Sequence, residues 1–209
     1  MRTSHIDPGP QGRETRARIL RAAEEVFAER GFDGARVDEV ARRAGVNKAL
    51  LYYYFEGKEQ ILNDLVKTYI QETLETKEQM WSKLEPRSAN QLDHIINMIA
   101  GVYEEKKNIL RIILLELLKG TADSSRLGLL DPVFADAISR FRALGYTTGD
   151  QSSAMISVCF FALVPLLVFS LVREQWADYY NLDPADCSAS FMRGFKRVFP
   201  HLVPKNDTE

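Results

Sequence analysis

The chain has 209 residues, enough to bury a substantial core in one large domain or two modest ones. Hydrophobic content of 45% and charged content of 27% are ordinary for a soluble globular protein, and a formal net charge of −2 supplies no global basicity. Only Cys159 and Cys187 occur, which excludes a disulfide-stapled scaffold, and neither stands in a metal-ligand spacing. Charge is uneven along the chain. Residues 1–58 carry 11 Lys+Arg against 9 Asp+Glu, and the remainder carries 16 against 20. The opening segment MRTSHIDPGPQGRETR has no apolar h-region and reads as a flexible, Arg-bearing arm over 1–12. A cytoplasmic protein is expected.

Helical periodicity dominates and strand alternation is nearly absent, so the fold class is all-α. The first helix is expected from Glu14 to Arg30, with Ile19, Ala22, Ala23, Val26 and Phe27 on one buried stripe. Gly31 follows as a terminator able to take positive φ, and Phe32 can fold back onto that stripe. A short second helix runs from Val37 to Ala44, Gly45 makes a tight turn, and Asn47 starts a third short helix through Tyr53. The fourth helix begins near Lys58 and shows Ile61, Leu62, Leu65, Val66, Tyr69 and Ile70 on one face. Ser88 and Gln91 form a plausible capping box for a fifth helix carrying Leu92, Ile95, Ile96, Ile99, Val102 and Tyr103. Residues 108–119 are almost solidly aliphatic and end in Lys119-Gly120, a C-cap pair; 121–130 reads as loop. Asp131-Pro132 and Asp183-Pro184 are Asp-before-Pro helix starts, introducing helices of about 132–144 and 184–198. Between them lies a long apolar helix, about 151–175, in which Pro165 is expected to make a kink.

The informative segment is Arg36 to Glu59. Ala44-Gly45-Val46 lets two short helices cross closely, because small side chains remove bulk and glycine supplies the turn angle. The helix after that turn can lie in a major groove with its N-terminal residues facing base edges. Leu51 and Phe55, four apart, point back to the core with Phe27, leaving Asn47, Lys48, Ala49 and Tyr52 outside. Consecutive helical residues point about 100° apart, so Tyr53 or Tyr54 must also face outward.

Residues 13–73 resemble the tetracycline-repressor (TetR) family of bacterial regulators. The resemblance rests on Ile19, Ala22-Ala23, Phe27 and Arg30-Gly31-Phe32, then Val40-Ala41 and Ala44-Gly45-Val46, then Leu51-Tyr52, Phe55, Lys58-Glu59 and Ile61. It implies a three-helix DNA-binding domain over 13–73, a ligand-binding and dimerisation domain over 74–204, and a short tail over 205–209. Asn47, Lys48, Ala49 and Leu50 match positions that face bases; Lys48 can donate to guanine, and Ala49 and Leu50 can touch thymine methyls. Tyr52, Tyr53 and Tyr54 match positions that touch the phosphodiester backbone, and Lys58 matches a phosphate-attracting lysine at the start of the fourth helix. Ala35 and Arg36 stand where family members usually carry Thr or Ser; Arg36 can still reach a phosphate, but the hydroxyl cap of the second helix is lost.

In the C-terminal part, 154–172 is uncharged and mostly apolar, which suits either a membrane span or a helix buried in a dimer. The charged, soluble character of the rest favours the dimer, and the resemblance implies a homodimer through helices 151–175 and 184–198 with no membrane partner. It also implies a cavity for an unidentified, largely apolar small-molecule effector. Candidate lining residues are Trp81, Met98, Tyr103, Phe134, Phe160 and Phe161. No cofactor, metal or catalytic residue is expected. His5, His94 and His201 lie far apart, and no nucleophile elbow or phosphate loop is present. The reading is a regulator binding double-stranded operator DNA, a repressor released by its effector; a ligand-responsive activator or a membrane-attached helical adaptor is the alternative.

Overall fold

The computed structural model describes residues 9–81, 91–119, 128–143, 145 and 150–202. Among these the regular elements are all helices: α1 (Gly9–Gly34), α2 (Val37–Arg43), α3 (Lys48–Tyr54), α4 (Lys58–Trp81), α5 (Gln91–Glu105), α6 (Lys107–Leu118), α7 (Asp131–Ala143), α8 (Gln151–Tyr180) and α9 (Pro184–Leu202). The all-α expectation holds. Residues Ser88, Gly120 and 121–127 fall outside the described residues, as do 1–8 and the 205–209 tail.

Helix α1 starts at Gly9, ahead of the expected Glu14, so residues 9–12 are its first turn rather than arm. Pro10 explains the early start, since its fixed φ suits a first helical position where its missing N–H is not needed. Every residue of the expected stripe on α1 is buried, with Ile19, Ala23 and Val26 at 0% exposure. The regular helix breaks at Gly31 (φ 69°, ψ 162°), and Phe32 folds back so that its ring meets Phe27 edge-on at 5.4 Å. Gly45 also has positive φ, 64°. Its N–H donates to Arg42 O, and the Val46 N–H donates to Ala41 O at 3.0 Å, so the turn satisfies the last carbonyls of α2.

Asp183 caps α9 as expected, and Asp150, which the sequence reading did not single out as a cap, does the same for α8. Asp183 Oδ1 accepts from Ala185 N at 2.7 Å, and Asp150 Oδ1 accepts from Ser153 N at 2.7 Å. Helices α8 and α9 both run past their expected ends, to Tyr180 and Leu202. The disturbance near Pro165 takes the form of a π-helical segment, Ser157–Leu163, directly ahead of it. Proline has no N–H and its ring crowds the carbonyl four residues back; a wider turn there relieves the clash.

One continuous buried cluster runs from Ile19 in α1 to Phe199 in α9. Helix α1 packs on α2, α4 and α6, and α8 packs on α5, α6, α7 and α9. Helix α4 therefore reaches from the short-helix trio into the larger helical body.

Candidate nucleic-acid interface

Helix α3 is held from below and bare above. Leu51 and Phe55 are 0% exposed, anchoring it to the core. Asn47 is its N-cap, with Oδ1 accepting from Leu50 N at 2.7 Å. That bond occupies the amide oxygen and leaves the Asn47 amide hydrogens outward. Lys48, Ala49, Leu50, Tyr52 and Tyr53 are all exposed, Tyr53 at 68%. Tyr54 is half-buried and meets the Tyr53 ring edge-on at 5.0 Å. The structure thus brings the residues expected to face bases and those expected to touch phosphate onto one small convex surface.

Two basic residues are engaged at home. Lys48 Nζ sits 2.7 Å from Asp38 Oδ1, and hydrogen bonding to Asp38 pushes its ammonium up from the usual value. Both partners are exposed, so DNA groups can replace Asp38 at little cost. Lys58 differs from its sequence assignment. Its ammonium donates to Phe32 O at 3.0 Å and Asp33 O at 3.1 Å and lies 4.7 Å over the Phe32 ring. The lysine expected to attract phosphate thus ties the α1–α2 corner to α4, because the break at Gly31 turns those carbonyls toward it. Arg36 is exposed, and as N-cap of α2 it makes no side-chain cap, in keeping with the missing hydroxyl.

Ion pairs that the sequence did not advertise make the platform rigid. Arg43 forks onto Glu29 at 2.7 and 2.8 Å and also approaches Glu25 and Glu39, joining α2 to α1. Arg16 pairs with Asp64 at 2.7 Å and stacks 5.2 Å over the Phe55 ring, joining α1 to α4 above the end of α3.

The residues expected around an effector cavity are scattered. Met98 borders a void of about 20 Å³ between α4, α5, α7 and α8. Tyr103 is fully packed, and burial pushes its phenol far up. Phe134 and Trp81 are half-buried, Trp81 beneath the Arg140 guanidinium at 4.7 Å. Phe160 and Phe161 do not line an interior space: they are 59% and 42% exposed on the outer side of α8, because that helix buries Val158 and Ala162 instead. A larger cleft of about 330 Å³ lies where α1, α4 and α6 meet, bordered by Leu20, Glu24, Tyr69 and Lys106. Sequence reading missed Thr73 and Lys77, both buried on α4; their spacing in phase with Tyr69 was the available signal.

A helix-turn-helix that leaves its second helix exposed has the shape with which such helices enter the major groove of DNA. Residues 19–65 match the family of bacterial regulatory proteins of the tetR family. That match covers the helix-turn-helix segment, under a quarter of the chain. The chain is similar to the transcriptional activator FasR of Mycolicibacterium smegmatis, 51% identical over 45 residues covering 22% of this chain and 20% of FasR. It is also similar to the transcriptional repressor NicS of Pseudomonas putida, 41% identical over 51 residues covering 24% of each. The matches to these and other curated relatives cover between 20% and 53% of their own length. In fold it resembles the fatty acid degradation regulator FadR from Bacillus halodurans, with TM-score 0.67 and 19% identity over 98% of this chain and 100% of that one.

Proposed function

We propose that the chain is a cytoplasmic, homodimeric repressor that grips operator DNA with α3 and lets go when a small molecule occupies the C-terminal domain. One observation carries the DNA-binding part: Leu51 and Phe55 pin α3 down while Lys48, Ala49, Leu50, Tyr52 and Tyr53 stand free of the core. A dimer presents two such helices to successive major grooves, about 34–36 Å apart or somewhat more. An effector that binds better to a conformation with another spacing lowers operator affinity by that difference alone. NicS favours repression by its name, FasR activation by its own. Deleting the gene raises expression from its operator-bearing promoter if the protein represses, and lowers it if the activator reading is right.

The dimer reading is supported by α8 and α9. The most apolar stretch of Gln151–Tyr180 has mean hydropathy 2.7, yet only 22% of it is buried within one chain. The helix is long and apolar enough to cross a membrane, which is the competing reading. Its far end favours the bundle. Arg173 pairs with Glu104 at 3.0 Å and Glu174 with Lys107 at 3.2 Å, tying α8 to α5 and α6. Recovery in the membrane fraction would displace the dimer reading.

Lys48→Ala and Tyr53→Ala each weaken operator binding by about tenfold or more while leaving the dimer intact, since a direct base or phosphate contact contributes ~1–3 kcal/mol. Gel shifts with promoter duplexes and light scattering measure both properties. Unchanged affinity in both variants would remove α3 as the DNA-reading face.

A further inference from the structure

Two carboxylates stand on α2, and the fold sends them opposite ways. Glu39 is half-buried and approaches Arg43 at 3.5 Å and Arg30 at 4.0 Å, within the ionic network that ties α2 to α1. Asp38, with a side chain 67% exposed, crosses instead to α3, where its Oδ1 sits 2.7 Å from Lys48 Nζ. Lys48 is its only ion-pair partner among the described residues.

A carboxylate in that place works against simple phosphate binding. Duplex DNA carries one negative charge per about 1.7 Å of its axis, so an acid brought beside it is repelled and stripped of water. The pair adds little to stability either, because both side chains are exposed. What remains is the pattern it presents outward, a hydrogen-bond donor and an acceptor side by side.

That pattern fits one base pair well. In the major groove a G·C pair shows acceptors N7 and O6 on guanine and the N4 donor on cytosine. O6 and N4 are hydrogen-bonded to each other, hence about 2.9 Å apart. The 2.7 Å between Lys48 Nζ and Asp38 Oδ1 is nearly the same spacing. The ammonium can meet O6 and N7 while the carboxylate accepts from N4, and the two need not separate. An A·T pair also sets a donor, adenine N6, beside an acceptor, thymine O4. There the lysine gains one acceptor instead of two, and the thymine methyl stands beside it. Wherever Asp38 meets O4 or O6 in place of N4, a desolvated carboxylate faces an acceptor and binding is penalised.

We propose that Asp38 is a base-reading residue: with Lys48 it recognises one G·C pair in each half-site, Lys48 on the guanine and Asp38 on the cytosine. The assignment rests on the reading that α3 meets base edges, and adds the residue on α2 that selects among them. Asp38 lies beside the Lys48 ammonium, so a base that Lys48 touches brings its paired base within reach of Asp38.

The full-length protein selects duplexes from a library with a randomised centre, and the selected site is then changed one base pair at a time. Binding is followed by fluorescence anisotropy at one fixed salt concentration, beside a scrambled duplex of equal length. The wild type prefers G·C at one position of each half-site by about tenfold or more. Asp38→Ala and the isosteric Asp38→Asn flatten that position to within about threefold, leave the other positions as they were, and bind the scrambled duplex several-fold more tightly. Lys48→Ala flattens the same position. Flattening at a position that Lys48→Ala leaves alone, or losses spread over every position in both Asp38 variants, overturns the proposal. If the wild type selects a site that both Asp38 variants read identically, Asp38 is excluded and α3 remains the DNA-reading helix. If the wild type selects no sequence and binds no duplex in a salt-sensitive way, that reading falls and the assignment with it.

Discussion

Tyr69 is buried on α4, and burial pushes its phenol up to about 12 from an unfolded value near 10. The folded state therefore favours the protonated form. The resulting stabilisation is complete below pH 10 and disappears as the pH climbs through 10 toward about 12. Two units correspond to about 2–3 kcal/mol. Tyr69→Phe cannot ionise, so its urea-unfolding midpoint falls less steeply than that of the wild type between pH 9 and about 11. Parallel curves would mean that the phenol reaches solvent. At this same scale some residues were legible beforehand and others were not. Gly31 and Gly45 follow from helix-stop chemistry alone, and Asn47 from its place before a short helix. Lys58 was not legible, because the Phe32 and Asp33 carbonyls it meets lie about 25 residues away, as the Lys58–Asp33 separation of 25 shows.

Helices gave up their buried faces readily and their exposed faces less so. In α1 and α4, and in α5 from Ile95 to Tyr103, the apolar stripe read at 3.6-residue spacing is the stripe that is buried. In α8 nearly every side is apolar, and periodicity has nothing to distinguish. Only packing separates Val158, Ala162 and Leu166, which are buried, from Phe160, Val168, Val172, Trp176 and Tyr180, which are 40% exposed or more. The exposed five, with half-buried Val164, recur at four-residue steps and form a band down the outside of α8. If two chains meet along it, Trp176→Glu and Phe160→Glu each place a charge in the dimer core. Each variant is expected to run as a monomer in size-exclusion light scattering with its helical content kept. Operator affinity then drops by about 100-fold or more, since the second half-site no longer binds as a tethered unit. A dimer that survives both substitutions assigns the band to some other contact.

Across the whole molecule, the DNA-reading unit and the C-terminal body share one core. Ile109 of α6 is 2% exposed and borders the cleft with Leu20 of α1 and Leu65 of α4. Outside that contact, Lys106 reaches Glu72 at 2.7 Å and Lys119 reaches Asp33 at 2.7 Å, one at each end of α6. These exposed pairs contribute little stability but hold α6 in register against its neighbours. Ile109→Ala is expected to cost about 2–4 kcal/mol and to speed amide hydrogen exchange in α1 and α4 as much as in α6. Faster exchange confined to α6 would show two independently stable units and weaken the case that a ligand in the body can move α3.

The linear order of residues determined the all-helical class, the helix-turn-helix and its outward residues, and the caps at Asn47 and Asp183. Those properties depend on side chains within a few positions of one another, where turn geometry and helical periodicity operate. Tertiary structure decided which side of α8 stays uncovered, that Phe160 and Phe161 face out, that Lys58 is a tie, and that Lys77 is buried on α4. Each of those depends on what a distant helix brings, or fails to bring, within a few ångströms, and the energy of a buried charge is set by that distance.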